Sequence, residues 1–272
     1  MWDKVPETND SERETFMSRP AVAASQSLPF ELVTEDGIPM DNLAHVLQMY
    51  LLIDSAHQVM AERGRKDYLA AGNIFVYYSI EQAHDVVQGR SYFRGPDFFF
   101  VGGVAPAKRL AWVSWEEGGR LPELIVEFLS PSTAHIDRTT KKDLYSRVFR
   151  TPEYYIYDLL GTSVLDGFRL AGDSYRPMRP DRRGRLRSEV LGLDLGIWQG
   201  EYENQEGTWI RLFYPDGRMV PTADERADAE CQRADAERQR ADAERQRADT
   251  ERQRAEAAEA ELARLRSLLG QS

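Results

Sequence analysis

The sequence predicts a mixed α/β domain followed by a long charged helix. Three observations carry this. Residues 97–101 and 121–129 are apolar almost throughout, as strands covered on both faces are. An amphipathic helix follows the second run and is followed in turn by another strand, the spacing of a strand–helix–strand unit. The last fifty residues are highly charged, and residues 226–253 among them repeat every seven positions.

Residues 1–28 are polar and aperiodic, the composition of a disordered arm. A helix begins near Asp41, with Leu43, Val46, Leu47, Tyr50, Ile53, Ala56 and Met60 at helical spacing. Asp41 can cap it. Strands follow at 73–78, 97–101 and 121–129. The next helix covers 139–149, with Leu144, Tyr145, Val148 and Phe149 on one face. Lys141 falls in the middle of that face, and Lys142 is rotated towards its flank. Pro152 closes the helix, and residues 153–158 return as a strand. Turn residues at 159–161, 171–173, 181–184 and 215–217 mark hairpins. The domain therefore spans 29–220, a size one fold can have. In the tail, 221–272, Arg-Ala-Asp-Ala-Glu-Arg-Gln motifs form i,i+3 and i,i+4 ion pairs worth a few tenths of a kcal/mol each. The heptad seam is poor, because Glu237, Glu244 and Glu251 fill one of its positions. A solvated helix with a short coiled-coil tip is expected, and a partner-binding coil is the alternative.

Bulk properties exclude several classes. A net charge of −10 gives no general basic footprint for nucleic acid, although a local patch stays open. The single cysteine, Cys231, excludes an internal disulfide and a cysteine-rich zinc site. The start is polar and acidic, unlike a signal peptide, and the apolar stretch 49–53 is too short to span a bilayer. A cytoplasmic protein without a membrane partner is the expectation.

Glu127 is the misfit in this pattern. It sits near the end of a strand that should bury only apolar side chains. An unpaired buried carboxylate costs several kcal/mol, so it needs a cation or a proton. Asp97, at the head of the neighbouring apolar run, is a second acid, and Lys141 is a cation on a core-facing helix. Two carboxylates at adjacent strand ends can hold one Mg²⁺ or Mn²⁺, joined by a backbone carbonyl such as that of Phe128. A lysine beside them can orient an attacking water. The same residues also admit a purely structural reading, in which Lys141 neutralises Glu127 and Asp97 caps a turn. Asp137 shares the inward face of Lys141 and either holds the lysine or caps the helix.

The stretches Gly95-Pro96-Asp97, Glu127-Phe128-Leu129-Ser130-Pro131-Ser132-Thr133, Asp137-Arg138-Thr139-Thr140-Lys141 and Thr151-Pro152-Glu153-Tyr154-Tyr155 resemble the Uma-type family of restriction endonuclease-like proteins. The resemblance covers about residues 30–220. It implies a restriction-endonuclease-like mixed sheet flanked by helices and the PD-(D/E)xK order of site residues. In that pattern a lysine stands two residues after the acid, where this chain has Leu129. The resemblance implies that the lysine has moved to the following helix, at Lys141. The fold often carries a further acid on its first helix. Asp41 is the candidate, with His45 one turn on, though a cap and a half-buried histidine are the plainer readings.

Arg176, Arg179, Arg182, Arg183, Arg185 and Arg187 cluster on a predicted hairpin. Arg179, Arg182, Arg183 and Arg185 could contact phosphates, or simply form a solvated charged face. The reading reached is a Mg²⁺- or Mn²⁺-dependent DNA endonuclease, with Asp97, Glu127 and the Phe128 carbonyl on the metal and Lys141 beside the water. Cleavage of both strands would favour a homodimer. The alternatives are a nuclease acting on RNA and a non-catalytic nuclease-fold protein that binds nucleic acid or, through its helical tail, a protein partner.

Overall fold

A computed structural model describes residues 28–34, 42–90, 95–130 and 134–269, with side chains to Arg266. In chain order the elements are α1 (Leu43–Glu62), β1 (Tyr68–Ala71), β2 (Val76–Tyr77), α2 (Ile80–Val87), β3 (Phe98–Gly102), β4 (Trp112–Val113) and β5 (Leu124–Phe128). A crossover helix over residues 134–149 follows. Then come β6 (Glu153–Tyr157), β7 (Leu165–Ala171), β8 (Ser174–Pro177), β9 (Leu186–Ser188), β10 (Leu193–Tyr202), β11 (Gln205–Phe213) and a tail helix (Ala223–Leu269).

The fold is mixed α/β, as the sequence predicts. Six strands form one sheet in the order β1-β3-β5-β6-β7-β8. Only β5 and β6 pair in parallel there; the other neighbours are antiparallel. A parallel pair needs a crossover rather than a hairpin, and the helix over 134–149 supplies it. One face of the sheet packs Phe100, Val126 and Tyr155 against Leu52 and Val59 of α1 and Ile210 of the β9–β11 sheet. The other packs Phe99, Ile125 and Tyr154 against Tyr145 and Phe149 of the crossover helix. Two covered faces explain the unbroken apolar runs in β3 and β5.

Several local expectations change. Asn42 caps α1, its side-chain oxygen accepting from His45 N at 3.1 Å; Asp41 lies outside the described residues, as does the arm before residue 28. Leu43 and Tyr50 are exposed, whereas the polar Gln48 is buried. Its amide takes both Ile210 N and Ile210 O as partners, so burial leaves no bond unmade. The strand expected at 73–78 shrinks to β2, which pairs in parallel with β4 in a sheet of its own. Asn73, at φ +53°, turns the chain out of the main sheet, and β1 takes the place beside β3.

The tail helix is 47 residues long, roughly 70 Å at 1.5 Å per residue. Its first turn is bolted to the domain. Thr222 and Glu225 form a reciprocal capping box. Glu225 also meets Arg211, a fully buried guanidinium, at 2.6 Å. Arg226 still meets Glu62 of α1, and from Glu230 to Arg266 the helix is exposed on all sides and carries i,i+3 ion pairs such as Asp235–Arg238. Among the described residues, no helix is long and apolar enough to cross a membrane.

Candidate active site

The site forms where β3 and β5 end. Their antiparallel register pairs Phe98 with Val126, so one step further Asp97 stands opposite Glu127. The two acids lock the strand ends together. Phe128 N donates to Asp97 Oδ2 at 2.6 Å, and Asp97 N donates to Glu127 Oε2 at 3.4 Å. By strand alternation Glu127 points to the face covered by the crossover helix, and it is fully buried.

That helix brings the cation. Lys141 Nζ lies 3.0 Å from Glu127 Oε2 and 2.8 Å from Asp137 Oδ1. Tyr145 donates its hydroxyl to Glu127 Oε1 at 2.7 Å. Tyr154 of β6 donates to Asp137 O at 2.9 Å. The helix alternates α-helical turns (Ala134–Ile136, Lys142–Leu144) with wider π-helical ones (Asp137–Lys141, Tyr145–Phe149). In a pure α-helix, residues four apart drift round the axis by ~40°. The wider π turns reverse that drift, so Asp137, Lys141, Tyr145 and Phe149 stay in one row towards the sheet. For the same reason Val148, expected on the inner face, is exposed. Lys142 turns to the flank as expected, with Nζ 3.4 Å from the centre of the Phe168 ring. π turns inside helices are frequent at functional sites.

The electrostatics follow from three carboxylates facing one ammonium. Burial pushes the Glu127 carboxyl up from 4.5 to about 8; Lys141 pulls against this, and Asp97 and Asp137 reinforce it. Burial also raises Asp97, with Lys141 and the Phe128 N–H opposing. For Lys141, burial works against the charge, but Glu127, Asp137 and Asp97 outweigh it and hold the ammonium above the usual lysine range. Tyr145 is raised well above an ordinary tyrosine, chiefly by burial, and stays a donor.

His45 is buried beside the site. Its Nδ1 lies 2.7 Å from Asn42 Nδ2. An amide nitrogen only donates, so Nδ1 accepts and Nε2 carries the hydrogen. Nε2 then donates to Phe128 O at 3.1 Å. The Phe128 carbonyl keeps its second lone pair.

No three His, Cys, Asp or Glu side chains among the described residues gather as a metal-holding group. The donors at hand are the carboxylates of Asp97 and Glu127 and the Phe128 carbonyl. These hard oxygens suit Mg²⁺ or Mn²⁺. Lys141 is the ammonium that the Glu127 and Asp137 carboxylates face.

The Uma2 family, described as "Putative restriction endonuclease", matches residues 15–201, over two thirds of the chain. The chain belongs to the Uma2 family. No curated protein matches it. The Uma2 match takes in the whole six-stranded sheet and the crossover helix and ends within β10, ahead of β11 and the tail.

In this Uma2 chain the structure brings Asp97, Glu127, Phe128, Lys141, Asp137 and His45 together. It does not bring the arginines of the β8–β9 connection to them. Arg185 stacks over Phe213 at 3.5 Å and donates to Gly217 O. Arg182 and Arg183 are exposed on the turn that Asp181 caps. Arg179 is exposed further back along the same connection. Sequence reasoning missed Tyr145 and Tyr154 as polar partners, because both also fit an apolar stripe. The signal available was their spacing: Tyr145 stands one turn after Lys141, on the same face.

Proposed function

We propose that this protein is a divalent-metal-dependent DNA endonuclease in which Asp97, Glu127 and the Phe128 carbonyl hold the metal. The observation that carries the reading is the contact between Lys141 and Glu127, 3.0 Å across. It supplies, from the crossover helix, the ammonium that the family pattern has on the strand at the position of the buried Leu129. When bound, Mg²⁺ or Mn²⁺ would neutralise charge on the scissile phosphate and lower the pKa of a water.

The chain's own residues do the rest. Lys141, still partly exposed at 22%, is the group at hand to hold a water for attack and to stabilise charge developing on the phosphate. Asp137 anchors the lysine, and Tyr145 fixes the Glu127 carboxylate. Asp41 is a further candidate acid. A two-fold dimer would present one site to each strand of a duplex, and the tail is available to a protein partner. A cytoplasmic setting fits this reading.

The test is cleavage of plasmid DNA and of RNA with Mg²⁺ or Mn²⁺. Asp97→Ala and Lys141→Ala are expected to lose DNA cleavage while keeping the parent's circular dichroism. A parent protein that cuts neither nucleic acid would sink the reading.

A second reading is a non-catalytic nuclease fold. One observation favours it: Lys141 already has two carboxylate partners, and an ammonium so paired can be purely structural. Calorimetric titration separates the two. Mg²⁺ binding by the parent that Glu127→Gln abolishes supports the metal site; a parent that binds none supports the scaffold.

A further inference from the structure

We propose that the face of the sheet opposite Glu127 carries a separate phosphate-binding groove, built by Arg169, Arg176, Arg179 and Arg187, that holds the backbone of a nucleic-acid strand. The ligand class rests on the endonuclease reading; the groove itself rests on geometry and charge.

The cavity measures ≈ 390 Å³ and is lined, besides the four arginines, by Leu170, Ala171, Pro177 and Met178. Arg169 stands opposite Arg176 in the β7–β8 register, so both side chains leave the same face. Arg169 also stands opposite Glu153 of β6. Glu153 alternates with Tyr155 and Tyr157, which face α1 and the β9–β11 sheet, whereas Glu127 points to the face covered by the crossover helix. The groove and the candidate active site therefore lie on opposite faces.

Like charges directly opposite one another in a sheet are unfavourable. Here carboxylates hold Arg169 and the neighbouring Arg187. Arg169 lies 3.4 Å from Glu153 Oε1 and 2.8 Å from Glu189 Oε1, and it donates to Arg187 O at 2.9 Å. Glu153 is itself buried and accepts from the Ser188 hydroxyl and from Glu189 N. Arg187 pairs with Asp194 at 3.3 Å. That leaves Arg176 and Arg179 exposed, with neither an ion pair nor a side-chain hydrogen bond among the described residues.

The result is two anchored and two unpaired guanidinium groups around one groove, in a chain of net charge −10. Guanidinium forks match phosphate oxygens in pairs. The lining offers no aromatic side chain for a base to stack on, so the contacts are to the backbone and independent of sequence.

Binding of a fluorescent DNA duplex to the full chain, followed by anisotropy in EDTA over a salt series, tests this without any cleavage. Arg176→Gln with Arg179→Gln is expected to weaken binding at least tenfold at low salt. The slope of log K against log[salt] is expected to fall by about 1.8, at ~0.9 per lost phosphate contact. Both positions are exposed, and an unchanged thermal melt checks the fold. Unchanged affinity and slope overturn the groove. So does an equal loss in Arg238→Gln with Arg245→Gln on the tail, which marks non-specific charge. Inorganic phosphate that binds the parent in calorimetry but leaves the duplex bound assigns the groove to a small anion, and also overturns the proposal. The two readings fail separately: a protein that binds DNA through the groove yet cuts nothing sinks the nuclease alone. A protein that cuts DNA with unchanged binding in the double variant sinks the groove alone.

Discussion

Lys141 of the crossover helix and Glu127 of the central strand meet at 3.0 Å, the lysine partly exposed and the glutamate with no exposed side-chain surface. This asymmetry decides what loss of either partner does.

Lys141→Met removes the charge and keeps the aliphatic stem. Breaking a buried pair by removing one partner ordinarily costs about 3–5 kcal/mol. Here Glu127 titrates near 8 with the lysine in place and is largely protonated at neutral pH, so removing Lys141 strands no full buried charge on it. The cost is therefore expected to be smaller, about 2 kcal/mol, by urea denaturation at neutral pH.

The pH dependence follows from the direction of the Glu127 shift. Its folded pKa lies above the ordinary 4.5, at about 8. The folded state then binds the proton more readily than the unfolded one between those values. By linkage, the contribution of Glu127 to stability is complete below about 4.5 and is lost as pH rises through about 8. The metal-free protein is expected to lose stability between pH 6 and 8.5 more steeply than Glu127→Gln, whose amide does not titrate. Denaturation curves at those two pH values check it, and parallel losses in the two proteins would refute it.

Tyr145→Phe deletes the hydroxyl that Glu127 Oε1 accepts at 2.7 Å inside the core. Glu127 titrates near 8 and is largely protonated at neutral pH, and a hydrogen bond between neutral groups contributes about 0.5–1.5 kcal/mol. A loss in that range is expected from chemical denaturation, together with weaker Mg²⁺ binding in calorimetry because the carboxylate is no longer held. Wild-type stability would show that the hydroxyl has another outlet.

The tail gives a fourth prediction. Its repeat offers the domain little apolar surface, which suggests that the whole helix can be removed without harm. The structure alters that expectation at one end. Deleting residues 223–272 removes Glu225 and leaves Arg211 buried without its carboxylate. A loss of about 3 kcal/mol is expected. Ending the chain after Gln239 keeps the capping box and the Arg211 pair and should leave the melting temperature unchanged. Equal melting temperatures for the two truncations would show that the anchor contributes nothing.

How much of the site was legible in the sequence can be judged residue by residue. Glu127 stood out because a carboxylate in a doubly covered strand violates the pattern around it. Asp97 followed from the next apolar run, and the inward side of Lys141 followed from helical spacing. His45 stood out only beside Asp41, with a half-buried histidine as the plainer reading, and Tyr145 did not stand out, because an aromatic on an apolar stripe looks like core until its partner is known. The Arg169–Arg176 pairing was hidden as well, since register across a hairpin depends on where the turn closes.

The sequence by itself determined the mixed α/β class, the strand–helix–strand unit, the charged tail helix and the identity of the acids and lysine that converge. These rest on periodicity and burial, which are local properties of the chain. Tertiary structure decided the rest: the π turns that align Asp137, Lys141 and Tyr145, the engagement of the Phe128 carbonyl by His45, and the anchoring of the tail through Arg211. It also set the arginine groove on the opposite face of the sheet. Each of these joins residues far apart in the chain, through distances that packing fixes and that no local pattern encodes.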